Sequence, residues 1–241
     1  MSIARVQAAL RQNHLLSKLT DEESEPLLPL FELVETKVQE VLLQHGQPIH
    51  YAYFPCRSAH SCMVYLEDGS AVEVGTIGNE SFTGIEMLLD ATLATQTVIC
   101  QIGGPSLRMT AENFRKLIGK AGALTSILKR SGQAYVSQVS QSVACNRLHS
   151  TDMRFARWLL ITHDRVQNDE FDLTQEFLAA MLGVHRPSVS VVAGLFQQAG
   201  MIRYSRGRMK ILNRARLEES TCECYATVRS HFERLLGVPR A

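Results

Sequence analysis

The sequence predicts an α+β chain in three parts: an N-terminal antiparallel β-barrel or jelly roll, a long helix, and a C-terminal pair of short helices joined to a two-stranded hairpin. Three observations carry this expectation. Short β-rich runs punctuated by turn residues follow Thr36, a helical period returns after Thr110 and continues to about residue 168, and the stretch 172–210 passes from helical spacing to alternation. The parts divide at 1–120, 121–148 and 149–241, and 241 residues with 45% hydrophobic content suffice for two ordinary domains.

The first stretch, Val6 to Leu33, is helical in pattern. Leu15, Leu16 and Leu19 precede the acidic run Asp21-Glu22-Glu23, which suits a helix start after Thr20. The runs 37–43, 49–54, 61–66, 71–75 and 97–102 are short and rich in β-branched and aromatic residues, and Gly46-Gln-Pro48, Pro55, Glu67-Asp-Gly-Ser70 and Gly103-Gly-Pro105 separate them. Evenly spaced short strands of this kind close into a barrel or fold into a jelly roll.

From Ala121 to Leu148, the residues Leu124, Ile127, Leu128, Tyr135, Val136, Val139 and Val143 recur among Ser, Gly and Ala residues that permit close helix approach. This reads as a dimerisation helix that packs on its own barrel and on a twin through Leu124, Leu128, Tyr135 and Val139. Gln138, Gln141 and Ser142 interrupt the stripe, so it is no strict heptad, and a helix buried within one subunit is the alternative. A further helix, Thr151 to His163, turns Phe155, Trp158, Leu159 and Leu160 toward the C-terminal core.

In the C-terminal part, Phe177, Leu178 and Met181 recur at helical spacing, and Gly183 supplies the backbone freedom of a tight turn. A second run from Ser188 then carries Val189, Val192, Leu195 and Phe196 on one face. Pro187 marks the start of that second helix, because its fixed φ suits a first turn and its missing N–H has no partner there. A helix presented this way enters a DNA major groove N-terminus first, which would bring Arg186, Ser188 and Ser190 to base edges and phosphates. From Gly200 to Lys210 apolar residues alternate with Arg203, Arg206, Arg208 and Lys210 around Gly207, as in a hairpin wing whose cations grip the phosphate backbone.

Charge supports this reading. The chain carries a net +1, but 172–214 holds six basic residues (Arg186, Arg203, Arg206, Arg208, Lys210 and Arg214) against Asp172 and Glu176. No run approaches the ~20 apolar residues of a membrane span. The N-terminal Met1-Ser-Ile-Ala-Arg-Val-Gln7 has no apolar core, so the expected location is cytoplasmic, with no membrane partner. Six scattered cysteines fit neither a zinc ribbon nor an iron–sulfur cluster; Cys222 and Cys224 form the one close pair, either a redox handle or two cysteines of a terminal helix. His45, His50 and His60 fall in the β-rich part with no spacing that picks out a metal site.

The order barrel, long helix, helix-turn-helix and wing resembles the Crp/Fnr family of bacterial transcription regulators. The resemblance rests on Gly46-Gln-Pro-Ile through Tyr53-Phe-Pro55, Gly78-Asn-Glu-Ser-Phe-Thr-Gly84, Arg154-Phe-Ala-Arg-Trp-Leu-Leu160 and the stretch 172–210, and covers roughly residues 15 to 215. It implies a homodimer acting on double-stranded DNA at a pseudo-palindromic operator. The half-sites would lie about one helical turn apart, with RNA polymerase as a further partner. It also implies an effector pocket in a cyclic-nucleotide-binding-like barrel, mapping to Gly78, Glu80, Gly84, Ile85, Ala94 and Thr95.

Cyclic AMP is disfavoured as the effector. Family members that bind it place Gly-Glu at the ribose and Arg-Ser at the cyclic phosphate, whereas here Gly84 precedes Ile85 and Ala94-Thr95 stands where Arg-Ser would be. A phosphate without its arginine loses a charge-assisted contact of on the order of 2–3 kcal/mol. Glu86 is one residue out of place, which on an extended strand turns a side chain to the other face. The effector is therefore not named by the sequence, and alternatives are a cyclic-nucleotide-responsive regulator or a regulatory module acting on a protein partner. Catalysis is not expected: no His-x-His metal triad, nucleophile elbow or phosphate loop is present, and no catalytic or metal-ligating residue is assigned.

Overall fold

A computed structural model describes residues 3–166 and 168–237. Seven strands build the N-terminal part: β1 (Glu32–Thr36), β2 (Val41–Leu43), β3 (Tyr51–Pro55), β4 (Ala59–Tyr65), β5 (Ala71–Ile77), β6 (Thr97–Ile102) and β7 (Gly104–Thr110). They form two antiparallel sheets, β1-β7-β3 and β2-β6-β4-β5, so consecutive strands β6 and β7 lie in different sheets. The corner between them is Gly103-Gly104. Gly104 has φ of 156°, and a Cβ there would come within 2.7 Å of the Arg57 carbonyl oxygen, so the residues that look like a separator in the sequence are the hinge that lets one chain feed both sheets. Strands β1 and β7 lie outside the expected set. The strand expected over 37–43 begins at Val41, and the expected N-terminal helical run breaks up before β1.

That run consists of α1 (Ile3–Leu10), two 3₁₀ turns (Leu16–Lys18 and Glu25–Leu30) and the single turn α2 (Asp21–Ser24). Thr20 caps α2 as its acidic run suggests: its hydroxyl accepts the Glu23 N–H, and the Glu23 carboxylate accepts the Thr20 N–H at 2.9 Å. A relay of rings, Phe31, Phe54, Phe82 and Phe114, runs through this end of the barrel with centroids 5.4–5.5 Å apart. Phe114 belongs to α3 (Ala111–Ile118), so the relay joins the N-terminal turns, the sheets and the first helix after them.

The long helix α4 (Ala123–Leu148) crosses the barrel, and α5 (Thr151–Val166) leads into β8 (Glu170–Asp172), α6 (Gln175–Leu182), α7 (Arg186–Gln198), β9 (Ile202–Ser205), β10 (Arg208–Ile211) and α8 (Arg214–Ser220). The final helix α9 (Cys224–Leu236) returns to α4 and sinks Val228, Phe232 and Leu236 into the core of the barrel side. The end of the part 149–241 is therefore a strap that returns to the long helix and the barrel.

Barrel and α5 meet through a buried polar seam. Glu73 on β5 accepts hydrogen bonds from Ser61 Oγ (2.5 Å), Thr76 Oγ1 (3.1 Å) and Trp158 Nε1 (3.2 Å), and Gln101 Nε2 donates to Thr162 Oγ1 at 3.2 Å. Arg165 crosses the same seam: its guanidinium donates to Glu80 Oε1 at 2.8 Å and to Gln138 Oε1 at 2.9 Å. Burial outweighs these partners at Glu73 and pushes its carboxyl up to about 7. Because this is above the value in the unfolded chain, the folded protein binds the extra proton, and the associated stability is complete below about pH 4.5 and lost as pH rises through 7. Glu73→Gln, which keeps an acceptor but cannot ionise, should gain melting temperature relative to wild type at pH 8 and show little or no gain at pH 4. Parallel melting curves at both pH values would contradict the assignment.

Candidate nucleic-acid interface

Thr174 caps α6 by accepting the Phe177 N–H at 3.1 Å, and Gly183 ends it at φ 58°, the left-handed conformation that lets the chain reverse into α7. Helices α6 and α7 are bent at 103° to one another. The carbonyl of Leu182 at the end of α6 is taken by the buried guanidinium of Arg154, which gives the first arginine of the Arg154-Phe-Ala-Arg-Trp158 run its local role. The turn rests on the barrel: Gly183 sits beside Val72, and Met181 Sδ lies 3.4 Å from Ser61 Oγ.

Helix α7 begins at Arg186 with Pro187 in its first turn, and buries Val189, Val192, Ala193 and Phe196. Leu195, expected on that buried face, is instead 54% exposed, and Val191 is 64% exposed. Arg186, Ser188, Ser190, Val191 and Leu195 thus form the outward side of the helix. Arg186 does not point freely into solvent. Its guanidinium pairs with Glu176 at 2.5 Å and its Nε donates to Gln175 Oε1, which also accepts from Ser190 Oγ at 3.2 Å. Gln175, which carries no charge signal in the sequence, and Glu176, which enters there only as a count of charge, therefore hold the charged entry of α7. A bidentate ligand of Arg186 competes with Glu176 and Gln175 for the guanidinium.

The wing is a three-stranded sheet in the order β8-β10-β9. Ser205 pairs with Arg208, leaving Arg206 (φ 51°) and Gly207 (φ 75°) as a two-residue turn with both φ positive, the geometry that matches the twist of a tight hairpin. Met209 and Ile211 point inward, whereas Arg203, Arg206 and Arg208 are exposed and Lys210 is half-buried. The fourfold cationic set divides. Lys210 Nζ lies 2.6 Å from Glu170 and Arg208 Nε 3.5 Å from Asp172, both on β8, while Arg203 and Arg206 make no ion pair among the described residues. Arg214, counted with the basic charge of this region, faces inward: it binds Asp164 at 2.6 Å, the Tyr225 hydroxyl at 2.7 Å and Glu218 at 2.9 Å. It braces α5, α8 and α9.

The dimer residues expected on α4 are also relocated. Leu124, Leu128 and Tyr135 are buried in the chain's own core and Val139 is partly buried against it, because this side of α4 lies over β5 and the 3₁₀ turn Ile85–Leu89. The opposite side is exposed at Ser126, Lys129, Gln133, Val136, Ser140, Val143 and Arg147. These positions alternate by three and four residues, which is the spacing of a coiled-coil seam.

The residues expected to line an effector pocket fall into two groups. Gly78 and Glu80 are buried under Arg165; a Cβ on Gly78 would meet the Arg165 side chain at 2.5 Å, and Glu80 is committed to that guanidinium. Gly84 (φ 97°) opens the 3₁₀ turn, Ile85 packs toward Gly132 of α4, Ala94 is buried, and Thr95 is exposed. Since residues 85–89 form a turn and not a strand, the alternation argument against Glu86 does not hold. Its carboxylate accepts the Thr95 N–H at 3.4 Å. The barrel histidines do not converge: His45 bonds the Thr95 carbonyl, His50 is exposed, and His60 bonds the Thr83 hydroxyl, with burial driving its pKa down to about 3.

Residues 153–220 match the Crp-like helix-turn-helix domain. The chain carries a Crp-like helix-turn-helix domain. Solved structures extend the likeness to the whole fold. A protein of Eubacterium rectale assigned to the crp/fnr family of transcriptional regulators shares 16% identity with a TM-score of 0.65, covering 85% of this chain and 96% of that one. FixK2 of Bradyrhizobium japonicum gives 14% and 0.67 over 80% and 98%, and a CRP-family transcriptional regulator of Thermus thermophilus gives 18% and 0.65 over 78% and 95%. This is the Crp/Fnr fold, and the Eubacterium rectale and Thermus thermophilus proteins that share it are named as transcriptional regulators. A comparison with curated proteins found no match. Among the described residues no single helix is long and apolar enough to cross a membrane.

The two classes of arginine in this Crp-like domain separate in a salt titration. Arg206→Ala should lower the log–log salt slope of DNA binding by about one. Arg214→Ala should leave that slope unchanged and lower the melting temperature, and equal slope changes would contradict the placement of Arg214. At the barrel, millimolar cyclic AMP or cyclic GMP should not move the melting temperature. A ligand at a hundred times its Kd would add about 2.7 kcal/mol, so a reproducible upward shift would overturn the reading of Ile85 and Ala94.

Proposed function

We propose that this protein is a sequence-specific transcription regulator that binds a pseudo-palindromic operator as a homodimer. The observation that carries the reading is the exposed N-terminal turn of α7, with Arg186, Ser188 and Ser190, set beside a hairpin whose Arg203 and Arg206 have no ion-pair partner among the described residues. The division of labour follows from position. Arg186 at the helix entry presents a guanidinium that matches guanine O6 and N7 once Glu176 is displaced, and Ser188 and Ser190 lie within reach of bases or phosphates. Arg203, Arg206, Arg208 and Lys210 serve the phosphate backbone, the last two after exchanging Asp172 and Glu170 for it.

The homodimer reading is supported by the exposed seam of α4. Val136 and Val143 are 62% and 66% exposed in the single chain, at positions a second copy of the helix would cover. Two helix-turn-helix units related by a two-fold axis along α4 would read half-sites about 34 Å apart. RNA polymerase is the further partner this reading brings, and the cytoplasm, where bacterial DNA lies, is the compartment. The barrel, tied to α5 through Arg165 and Glu73, is the part of the molecule an effector would act on, and Ile85 and Ala94 in place of the polar anchors disfavour cyclic AMP there.

Two measurements test the proposal. Val136→Glu together with Val143→Glu should place like charges along the seam and release monomers in sedimentation, with melting behaviour of the single chain retained; a wild type already monomeric at micromolar concentration would overturn the dimer. Arg186→Ala should cost about 1–3 kcal/mol on the operator and relax preference at one base pair per half-site. An equal loss on operator and random DNA would make Arg186 a phosphate anchor instead of a reader.

A further inference from the structure

Where α4 ends and α9 begins, four side chains converge that the DNA-binding reading leaves unused. Cys145 and His149 stand four residues apart at the C-terminal end of α4, so they share one face, and Cys222 and Cys224 flank the start of α9. The three cysteines are buried and His149 is half-buried. All four ligand atoms lie within 4.8 Å of one another; Cys145 Sγ is 3.6 Å from Cys222 Sγ and Cys224 Sγ is 3.5 Å from His149 Nδ1.

We propose that these residues form a mononuclear zinc site with three thiolates and one imidazole. A tetrahedral zinc with bonds of about 2.3 Å to sulfur and about 2.0 Å to nitrogen sets its ligands roughly 3.5–3.8 Å apart, which is the separation of the two pairs here. An iron–sulfur cluster holds its cysteines around several iron atoms and needs a wider frame than 4.8 Å. The surroundings fit a metal as well as the ligands do. His149 turns Nδ1 to the site while its Nε2 lies 3.3 Å from the Glu223 carboxylate, the outer partner that fixes a metal-binding imidazole in one tautomer. Gln141 Nε2 donates to Cys224 Sγ at 3.0 Å, and Cys224 opens α9, where the helix dipole favours a thiolate. Three thiolates and Zn²⁺ leave one negative charge, which Arg154 and Arg157 of α5 are near enough to Cys145 to offset.

Binding releases the three thiol protons to solvent, with no redox change. The ion would staple the C-terminus of the long helix to the strap α9, across the joint at His149-Ser150 where α4 hands over to α5. Sequence spacing hides this site, because its halves are 77 residues apart.

The test is elemental analysis of the untagged full chain, purified under reducing conditions without chelator and desalted. About one zinc per chain is expected, and cobalt added to the metal-stripped protein should give the visible and near-ultraviolet bands of tetrahedral thiolate cobalt. Cys222→Ser should lose the zinc, Glu223→Gln should weaken it by about tenfold, and Cys100→Ser, remote from the cluster, should keep it. Should Cys222→Ser fail to fold, the cobalt spectrum of the wild type decides. A wild type that holds no zinc above a chelator-treated control, a cobalt spectrum without thiolate bands, a Cys145–Cys222 disulfide in its place, or full zinc retention in Cys222→Ser would each overturn the proposal.

Discussion

A single buried guanidinium holds the two halves of this molecule in register. Arg165 leaves the end of α5, reaches under Gly78 and meets Glu80 of the barrel and Gln138 of the long helix, with the ion pair at 2.7 Å and both side chains less than a tenth exposed. Desolvating two charges costs several kcal/mol each, so a pair of this kind adds little net stability, whereas losing one partner strands the other at a cost of about 3–5 kcal/mol. Its contribution is to position. The placement of α5 against the barrel brings Arg165 to Glu80 and Gln138, Trp158 to Glu73 and Thr162 to Gln101 at once. That placement sets the direction in which α6 and α7 leave the molecule.

The proposed DNA face is built on the same logic of satisfied charge. Arg186, Arg208 and Lys210 each rest against a carboxylate of a neighbouring element, and these exposed pairs are worth little in water. A phosphate or a guanine edge can take over from Glu176, Asp172 or Glu170 at small cost. Arg214, sunk among Asp164, Glu218 and Tyr225, has no such freedom, and its charge is structural.

Much of this was legible in the sequence because the signals are local. Gly183 needs a left-handed φ, Thr20 and Glu23 form a capping box within four residues, and Arg206-Gly207 makes a tight turn between alternating residues. What was illegible is non-local. Strand β7 starts on a Gly-Gly-Pro that reads as a turn, and β8 is only three residues long and exists because β10 offers it an edge. On α4 the large apolar residues Leu128 and Tyr135 suggested the partner-facing side, yet the barrel takes them; the outward seam has Val136 and Val143 as its apolar residues, set among Ser, Gln, Lys and Arg at heptad spacing, a weak signal until burial is known. The cysteine–histidine cluster needed the return of α9 to α4, which no window of sequence contains.

The central claim is that the exposed turn of α7 reads sequence twice, across a two-fold axis. Enrichment of the full-length protein's preferred sites from a random DNA pool tests it without knowledge of any operator. The account predicts an inverted repeat with half-site centres about 10 base pairs apart, each containing a fixed guanine. Enrichment of single or direct-repeat sites, or no enrichment over the starting pool, would contradict it.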